Sequence, residues 1–209
     1  MRIDDGDLLL AIDIQVDFCP GGALAVTDGD AVVPVTNRLL GRFAQAAATQ
    51  DWHPADHMSF AANHAGREPF TEIEVAYGRQ TLWPVHCVIG SPGADFHPDL
   101  QMDRFDLILR KGFRQSIDSY SAFFESDRQT ATGLAGYVRD RAVKRLFLTG
   151  LATDYCVNYS ALDAARLGFE VVIVIDACRA IDLGGSLDRA RADWQRAGIV
   201  VTTSEALIG

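Results

Sequence analysis

Residues 8–14 form an apolar run broken only by Asp13, as a strand buried on both faces requires. Val32, Val35, Leu39 and Leu40 recur near helical spacing and predict a helix over 31–44. A short strand ends at Gln50. Residues 51–103 then show no sustained period and carry Pro54, Pro69, Pro84, Pro92 and Pro98. A stretch that long without regular structure is a place to look for ligand binding. Beyond it the pattern predicts a strand at 105–109, a helix at 133–141, a strand at 146–148 and a helix at 154–167. A strand at 171–175, a helix at Ser186–Ala197 closed by Gly198, and a last strand at 199–202 complete it. Alternating strands and helices predict an α/β fold, a parallel sheet with helices on both faces, as one domain over 1–209. Such sheets carry their sites at the carboxyl ends of the strands.

Composition narrows the classes. The chain has 209 residues, 48% hydrophobic and 22% charged, which excludes wholesale disorder. A chain this long buries roughly 70% of its unfolded surface without a disulfide or metal staple. With 19 Lys and Arg against 28 Asp and Glu the net charge is −9, which argues against nucleic acid or an anionic membrane as a partner. No apolar run approaches the roughly 20 residues of a spanning helix. The acidic start, MRIDDGD, lacks the basic region of a signal peptide. Cys19, Cys87, Cys156 and Cys178 lie far apart, with no CxxC pair. That is neither a disulfide framework nor a zinc knuckle, and it reads as a reduced, cytoplasmic chain with a cysteine free for chemistry. No GxGxxG follows the first strand, so dinucleotide binding is disfavoured.

Three residues fall at three strand ends. Asp13 lies within the first apolar strand, where a carboxylate needs a partner. Lys111 follows the strand at 105–109. Cys156 follows the segment RLFLTGL near the start of a helix, where the helix dipole lowers a thiol's pKa. Each alone reads as a structural aspartate, a surface lysine or a packed cysteine. Together they supply a nucleophile, a base and a cation. In a second group, Asp51 and His53 point to the same side of an extended chain, and His86 can join them from the long loop. Two imidazoles and a carboxylate suit a divalent metal with open positions, although solvated loop histidines fit that segment equally well. His57, beyond Pro54, reads as a neighbour to this group. Phe18, Trp83 and Tyr120 are either core aromatics or walls for a flat ring.

The segments IDIQVDFCPGGALAV, TQDWHPADHMSF, LWPVHCVIGSPGADFHP, KGFRQSIDSYSAFFE, TGLATDYCVNYSALDA and VIDACRAID together resemble the nicotinamidase/pyrazinamidase group of isochorismatase-like cysteine hydrolases. They keep that family's order over nearly the whole chain. The resemblance implies a three-layer α/β/α sandwich around a mainly parallel sheet. It implies a catalytic triad of Asp13, Lys111 and Cys156, and one divalent metal on Asp51, His53 and His86, zinc first, with iron and manganese as alternatives. It places Phe18, Trp83, Tyr120 and Ala152 against the substrate. It also implies a cis Leu151–Ala152 peptide and an oxyanion hole from the amides of Ala152 and Cys156. The implied reaction is hydrolysis of nicotinamide, and of pyrazinamide, to the acid and ammonia through a cysteine thioester in NAD salvage. A small molecule is thus the expected partner, and a homodimer is plausible by base rate. Val16, Val85 and Tyr155 depart from the family's commoner residues, and none belongs to the implied triad or ligand set. Three rivals stand beside this reading. One is an amidohydrolase of the same fold acting on a carbamoyl or ureido substrate. The others are a non-haem iron oxygenase, which leaves Cys156 and Lys111 without a role, and a catalytically silent metal-binding protein.

Overall fold

The computed structural model describes residues 1–208. Its regular elements are β1 (Asp7–Ile12), α1 (Val32–Leu40), β2 (Gln45–Asp51), β3 (Glu72–Val75), β4 (Gly78–Thr81) and β5 (Leu107–Lys111). They continue with α2 (Leu134–Asp140), β6 (Arg145–Leu151), α3 (Asn158–Arg166), β7 (Glu170–Arg179), α4 (Ser186–Ala197), β8 (Val200–Thr202) and α5 (Glu205–Ile208). Six strands form one parallel sheet in the order β5-β2-β1-β6-β7-β8, and β3 and β4 pair separately as an antiparallel ribbon. The chain winds outward from β1 to β5, returns across the sheet to β6, and winds outward again to β8. The direction of winding thus reverses between β1 and β6, the position at which sheets of this kind open a crevice.

Side-chain alternation divides the strands between two cores. On one face Leu8, Leu10 and Ile12 of β1 and Leu146 and Leu148 of β6 pack on Val138 of α2, Ala161 and Ala164 of α3, and Trp194 of α4. On the other, Leu9, Phe147 and Val172 meet Leu39 and Leu40 of α1 and Leu207 of α5. The result is the expected three-layer sandwich. A third cluster, with Phe18, Leu24, Trp83 and Leu151, lies over the carboxyl ends of the strands and seals the crevice. Among the described residues no helix is long and apolar enough to cross a membrane.

The differences from the sequence reading have local causes. β1 ends at Ile12, short of Ile14, because Asp13 turns to a left-handed φ of 46°. The carboxylate therefore stands at the strand end rather than inside the strand. α1 stops at Leu40, short of residue 44, where Gly41 follows. β5 runs two residues later than expected, so Lys111 is its last residue. β6 and β7 are both longer than their apolar centres, and a bulge between Leu148 and Gly150 lets β7 re-pair as far as Arg179. The predicted helix at 154–167 is α3 preceded by a π-turn over Thr153–Val157. The stretch 51–103 is not featureless: it holds the β3–β4 ribbon and three short 3-10 turns. Gly198 closes α4 at φ 69°, as read from the sequence.

Candidate active site

Four neighbouring strands deliver the polar groups. Asp13 follows β1, Asp51 ends β2, Lys111 ends β5, and the turn carrying Cys156 follows β6. Gly150 makes that last approach possible. Its φ is 111°, and a Cβ there would fall on the Ile12 carbonyl oxygen. Just beyond it the Leu151–Ala152 peptide is cis.

Lys111 is wholly buried between two carboxylates. Its Nζ lies 2.8 Å from Asp13 Oδ2 and 2.9 Å from Asp51 Oδ1. The ammonium also donates to the Ser119 carbonyl (2.8 Å) and lies 3.6 Å from Cys156 Sγ. Burial opposes its charge, but Asp13 and Asp51 outweigh burial and hold its pKa well above the ordinary lysine value. The two carboxylates are driven in opposite directions. Burial raises Asp13, against the Lys111 charge. Burial also acts on Asp51, but His53 and Lys111 overcome it and hold Asp51 well below the carboxylate range. Asp51 is thus suited to stay ionised and Asp13 to exchange a proton. Thr49 Oγ1 donates to Asp13 Oδ1 at 2.6 Å, leaving Oδ2 to Lys111.

Cys156 corrects one expectation. Burial, joined by Asp13 and Asp51, outweighs Lys111 and raises the thiol well above its ordinary value. The helix dipole does not prevail because the residue sits in the buried π-turn ahead of α3. A thiol raised in this way calls for an adjacent base to take its proton when it reacts.

Asp51 Oδ2 faces His53 Nε2 at 2.9 Å and His86 Nε2 at 3.5 Å. The opposite ring nitrogens donate to carbonyls: His53 Nδ1 to Gly112 (2.8 Å) and His86 Nδ1 to Pro84 (2.8 Å). Those carbonyls fix the ring orientations and turn both Nε2 atoms toward the carboxylate. Gly112 is required here, because a Cβ on it would strike the His53 ring. One ligand atom from each of Asp51, His53 and His86 falls within a 4.8 Å cluster, and all three residues are buried. This N,N,O set, with each imidazole braced from behind, fits a divalent cation. His57 flanks it, its ring centroid 4.2 Å from that of His53. Ser59 Oγ (2.7 Å) and the Ile117 carbonyl (3.2 Å) occupy its ring nitrogens, and burial with the neighbouring His53 pushes it down to about 4.

A narrow cleft joins the two groups. Asp51, His53, His86 and Cys156 line it with Phe18, Trp83, Tyr120 and Ala152. Trp83 Nε1 donates to Tyr120 Oη at 2.9 Å, which fixes both rings. The sequence reading did not single out Leu24, Asp118 or Ile181 as walls, and it noted Tyr155 only as a departure. Nor did it find two residues that hold the walls in place. Gln15, fully buried, donates to the carbonyls of Asp51 and Ala94 (2.9 Å each) and accepts from Asp51 N–H (2.7 Å). Asp154 accepts from the amides of Ile181 (3.0 Å) and Asp182 (2.8 Å) and from Ser186 Oγ. The only sequence signal for either is its nearness to Asp13 or Cys156.

Comparison with known proteins follows the same lines. The model of the isochorismatase domain family matches residues 7–206. A nicotinamidase of Acinetobacter baylyi is 46% identical over 200 residues, covering 96% of this chain and 94% of the relative. The structure of an Acinetobacter baumannii nicotinamidase/pyrazinamidase superposes with a TM-score of 0.96 at 48% identity, covering 97% of this chain and 98% of that one. The Pyrococcus horikoshii pyrazinamidase, solved in complex with zinc, gives a TM-score of 0.77 at 35% identity, covering 95% and 99%.

Proposed function

This chain belongs to the isochorismatase family, and we propose that its cleft is where a cysteine splits an aromatic carboxamide. The reaction is hydrolysis of nicotinamide to nicotinic acid and ammonia, with pyrazinamide taken in the same way. One observation carries the reading: Cys156, backed by the Lys111–Asp13 pair, lines the same small aromatic-walled cleft as Asp51, His53 and His86.

Asp13 Oδ2 accepts the Cys156 proton as Sγ attacks the carboxamide carbon. Lys111 stays protonated, orients Asp13 and offsets the negative charge that passes between carboxylate and sulfur. The backbone N–H groups of Ala152 and Cys156 take the oxyanion, and one such donor is worth about 3–4 kcal/mol. Asp13 returns the proton to the departing nitrogen, so ammonia leaves and a thioester remains on Sγ. Asp13 next takes a proton from water, whose oxygen attacks the acyl carbon. The carbon–sulfur bond breaks, and sulfur regains its proton as the acid is released. Phe18, Trp83 and Tyr120 hold the ring flat, so that the carbonyl meets Sγ in one orientation. Asp51, His53 and His86 would hold a divalent cation, zinc by its fit to the mixed imidazole and carboxylate donors, which would supply an electron-pair acceptor for the substrate ring.

The intermediate gives the test. Acid quenching during turnover of nicotinamide, followed by peptide mass analysis, finds a nicotinoyl adduct on the peptide bearing Cys156. Cys19, Cys87 and Cys178 remain unmodified. A nicotinoyl group on any of those three overturns the assignment.

The rival oxygenase is disfavoured by the Lys111–Cys156 contact, which that chemistry leaves unused. A carbamoyl or ureido amidohydrolase has no need of the braced Asp51–His53–His86 set.

A further inference from the structure

A buried carboxylate that the mechanism leaves unused lies behind Lys111. Glu125 is 1% exposed and sits on the segment that runs from the end of β5 to α2. A carboxylate buried so deeply needs partners. Its Oε1 accepts from Arg114 Nη1 at 2.6 Å, and Arg114 belongs to the stretch that leaves β5 just after Lys111. Its other partner is the Ser119 hydroxyl. That hydroxyl has one proton, and the competing acceptor, the Ser121 carbonyl, is 3.5 Å away at the limit of a hydrogen bond. Burial pushes the Glu125 carboxyl up, against Ser119, Arg114 and the Lys111 charge, which is close enough to act on it. Backbone bonds from Glu125 N–H to the Thr130 carbonyl (2.9 Å) and from Ser126 N–H to the Asp118 carbonyl (2.8 Å) keep the residue where it is.

Ser119 leads from this carboxylate to the reacting cluster. An ammonium has three donors. Those of Lys111 meet Asp13 Oδ2, Asp51 Oδ1 and, at 2.8 Å, the Ser119 carbonyl. Two carboxylates alone leave the ammonium free to swing about the line between them. The carbonyl removes that freedom and holds Nζ 3.6 Å from Cys156 Sγ. We propose that Glu125 is a positioning residue for the reaction, acting through Ser119 to hold the Lys111 ammonium in place beside Asp13 and Cys156. The inference rests on the amidase reading above for the reaction it serves. Glu125 lies outside the lining of the cleft and works only through the residue it anchors. The ring pocket is anchored elsewhere. Tyr120 Oη accepts from Trp83 Nε1 (2.9 Å) and from Gln80 Nε2 (3.1 Å), and Gln80 also donates to Asp118 Oδ2 at 2.6 Å. Loss of the Glu125 contact therefore disturbs the charge cluster and spares the walls that hold the ring, so it lowers kcat and leaves KM.

Steady-state kinetics of cation-replete variants in a double-mutant cycle test this. Ser119→Ala keeps the backbone carbonyl and the Glu125–Arg114 pair and removes only the hydroxyl that joins them. The expected result is a kcat for nicotinamide about 10-fold lower, with KM within about 2-fold of the wild-type value. Glu125→Leu gives a similar fall, and combining the two lowers kcat no further. Glu125→Gln keeps an oxygen for Ser119 and restores kcat to within about 3-fold of wild type. Alkylation of Cys156 by iodoacetamide, followed by peptide mass analysis, needs no substrate and slows about 10-fold in the same variants. An unchanged kcat in Ser119→Ala, a raised KM in place of a lowered kcat, or effects that multiply in the double variant overturns the role of Glu125 and leaves the reaction as described. Ser119→Ala decides the matter if Glu125→Leu fails to fold. A wild-type protein that releases no ammonia from nicotinamide overturns the amidase reading instead, and the alkylation rates then decide whether Glu125 positions the cluster.

Discussion

Replacing Cys156 with alanine lowers ammonia release from nicotinamide at least about 10⁴-fold, the scale seen when a covalent nucleophile is removed. Protein and bound cation both survive the change. The side chain is small and lies at the edge of the core, so the loss of stability stays within about 1 kcal/mol. No other group near the reacting carbon can replace it. Lys111 is held protonated by two carboxylates, and Asp13 is the proton acceptor rather than a nucleophile. Cys19, Cys87 and Cys178 are buried away from the cleft lining, and burial raises all three thiols. Steady-state assay with a melting curve and metal analysis on the same sample checks each part. Near-normal turnover by this variant removes Cys156 from the mechanism.

Asp51→Ala has the second large effect, and it acts on two things at once. Asp51 supplies Oδ2 to the pair of imidazoles and Oδ1 to Lys111. Its loss takes away the one anionic donor of the cation site. Residues that merely brace a metal ligand cost 10–100-fold in affinity or activity, so removing the ligand itself costs at least about 100-fold in kcat/KM. Metal content falls from about one per chain toward zero. Breaking the buried pair with Lys111 also costs about 3–5 kcal/mol of stability. Asp51→Asn keeps the shape and the Gln15 contacts to the backbone, and separates the two effects: the fold is largely retained and the cation is lost. Full metal content in both variants rules out the ligand set.

Where the chain's own chemistry is local, its sequence carries the structure. The run over 8–14 is strand-forming because both faces of β1 are buried, and Gly198 marks the end of α4 because its backbone is left-handed there. Strand edges were harder to read. The polar half of β7, from Asp176 onward, is set by a bulge against β6 and by Asp176 accepting from Ser204 N–H (2.8 Å) and Oγ (2.5 Å). β2 is rich in small and polar residues, so its length comes from pairing with β1 and β5 rather than from its own pattern. The candidate site divides in the same way. Asp13, Lys111 and Cys156 stand at strand ends, where parallel sheets gather chemistry, and DxH is a spacing that shows on inspection. Gln15, Asp118 and Asp154 act through partners far off in the chain, such as the Gln15 bond to Ala94 and the Asp154 bonds to Ile181 and Asp182. Burial, with Asp13 and Asp51 beside it, pushes the Cys156 thiol up, and the sequence position near a helix start pointed the other way.

The most direct test compares ammonia release from nicotinamide and from benzamide by the cation-replete protein. The two share the amide and the flat ring, and only nicotinamide has the ring nitrogen that the Asp51–His53–His86 site is placed to receive. The account predicts rapid release from nicotinamide and release from benzamide about 100-fold slower or more, the cost of a poorly positioned carbonyl. Equal rates would remove the ring nitrogen from the pose, and no release from either would contradict the amidase reading itself.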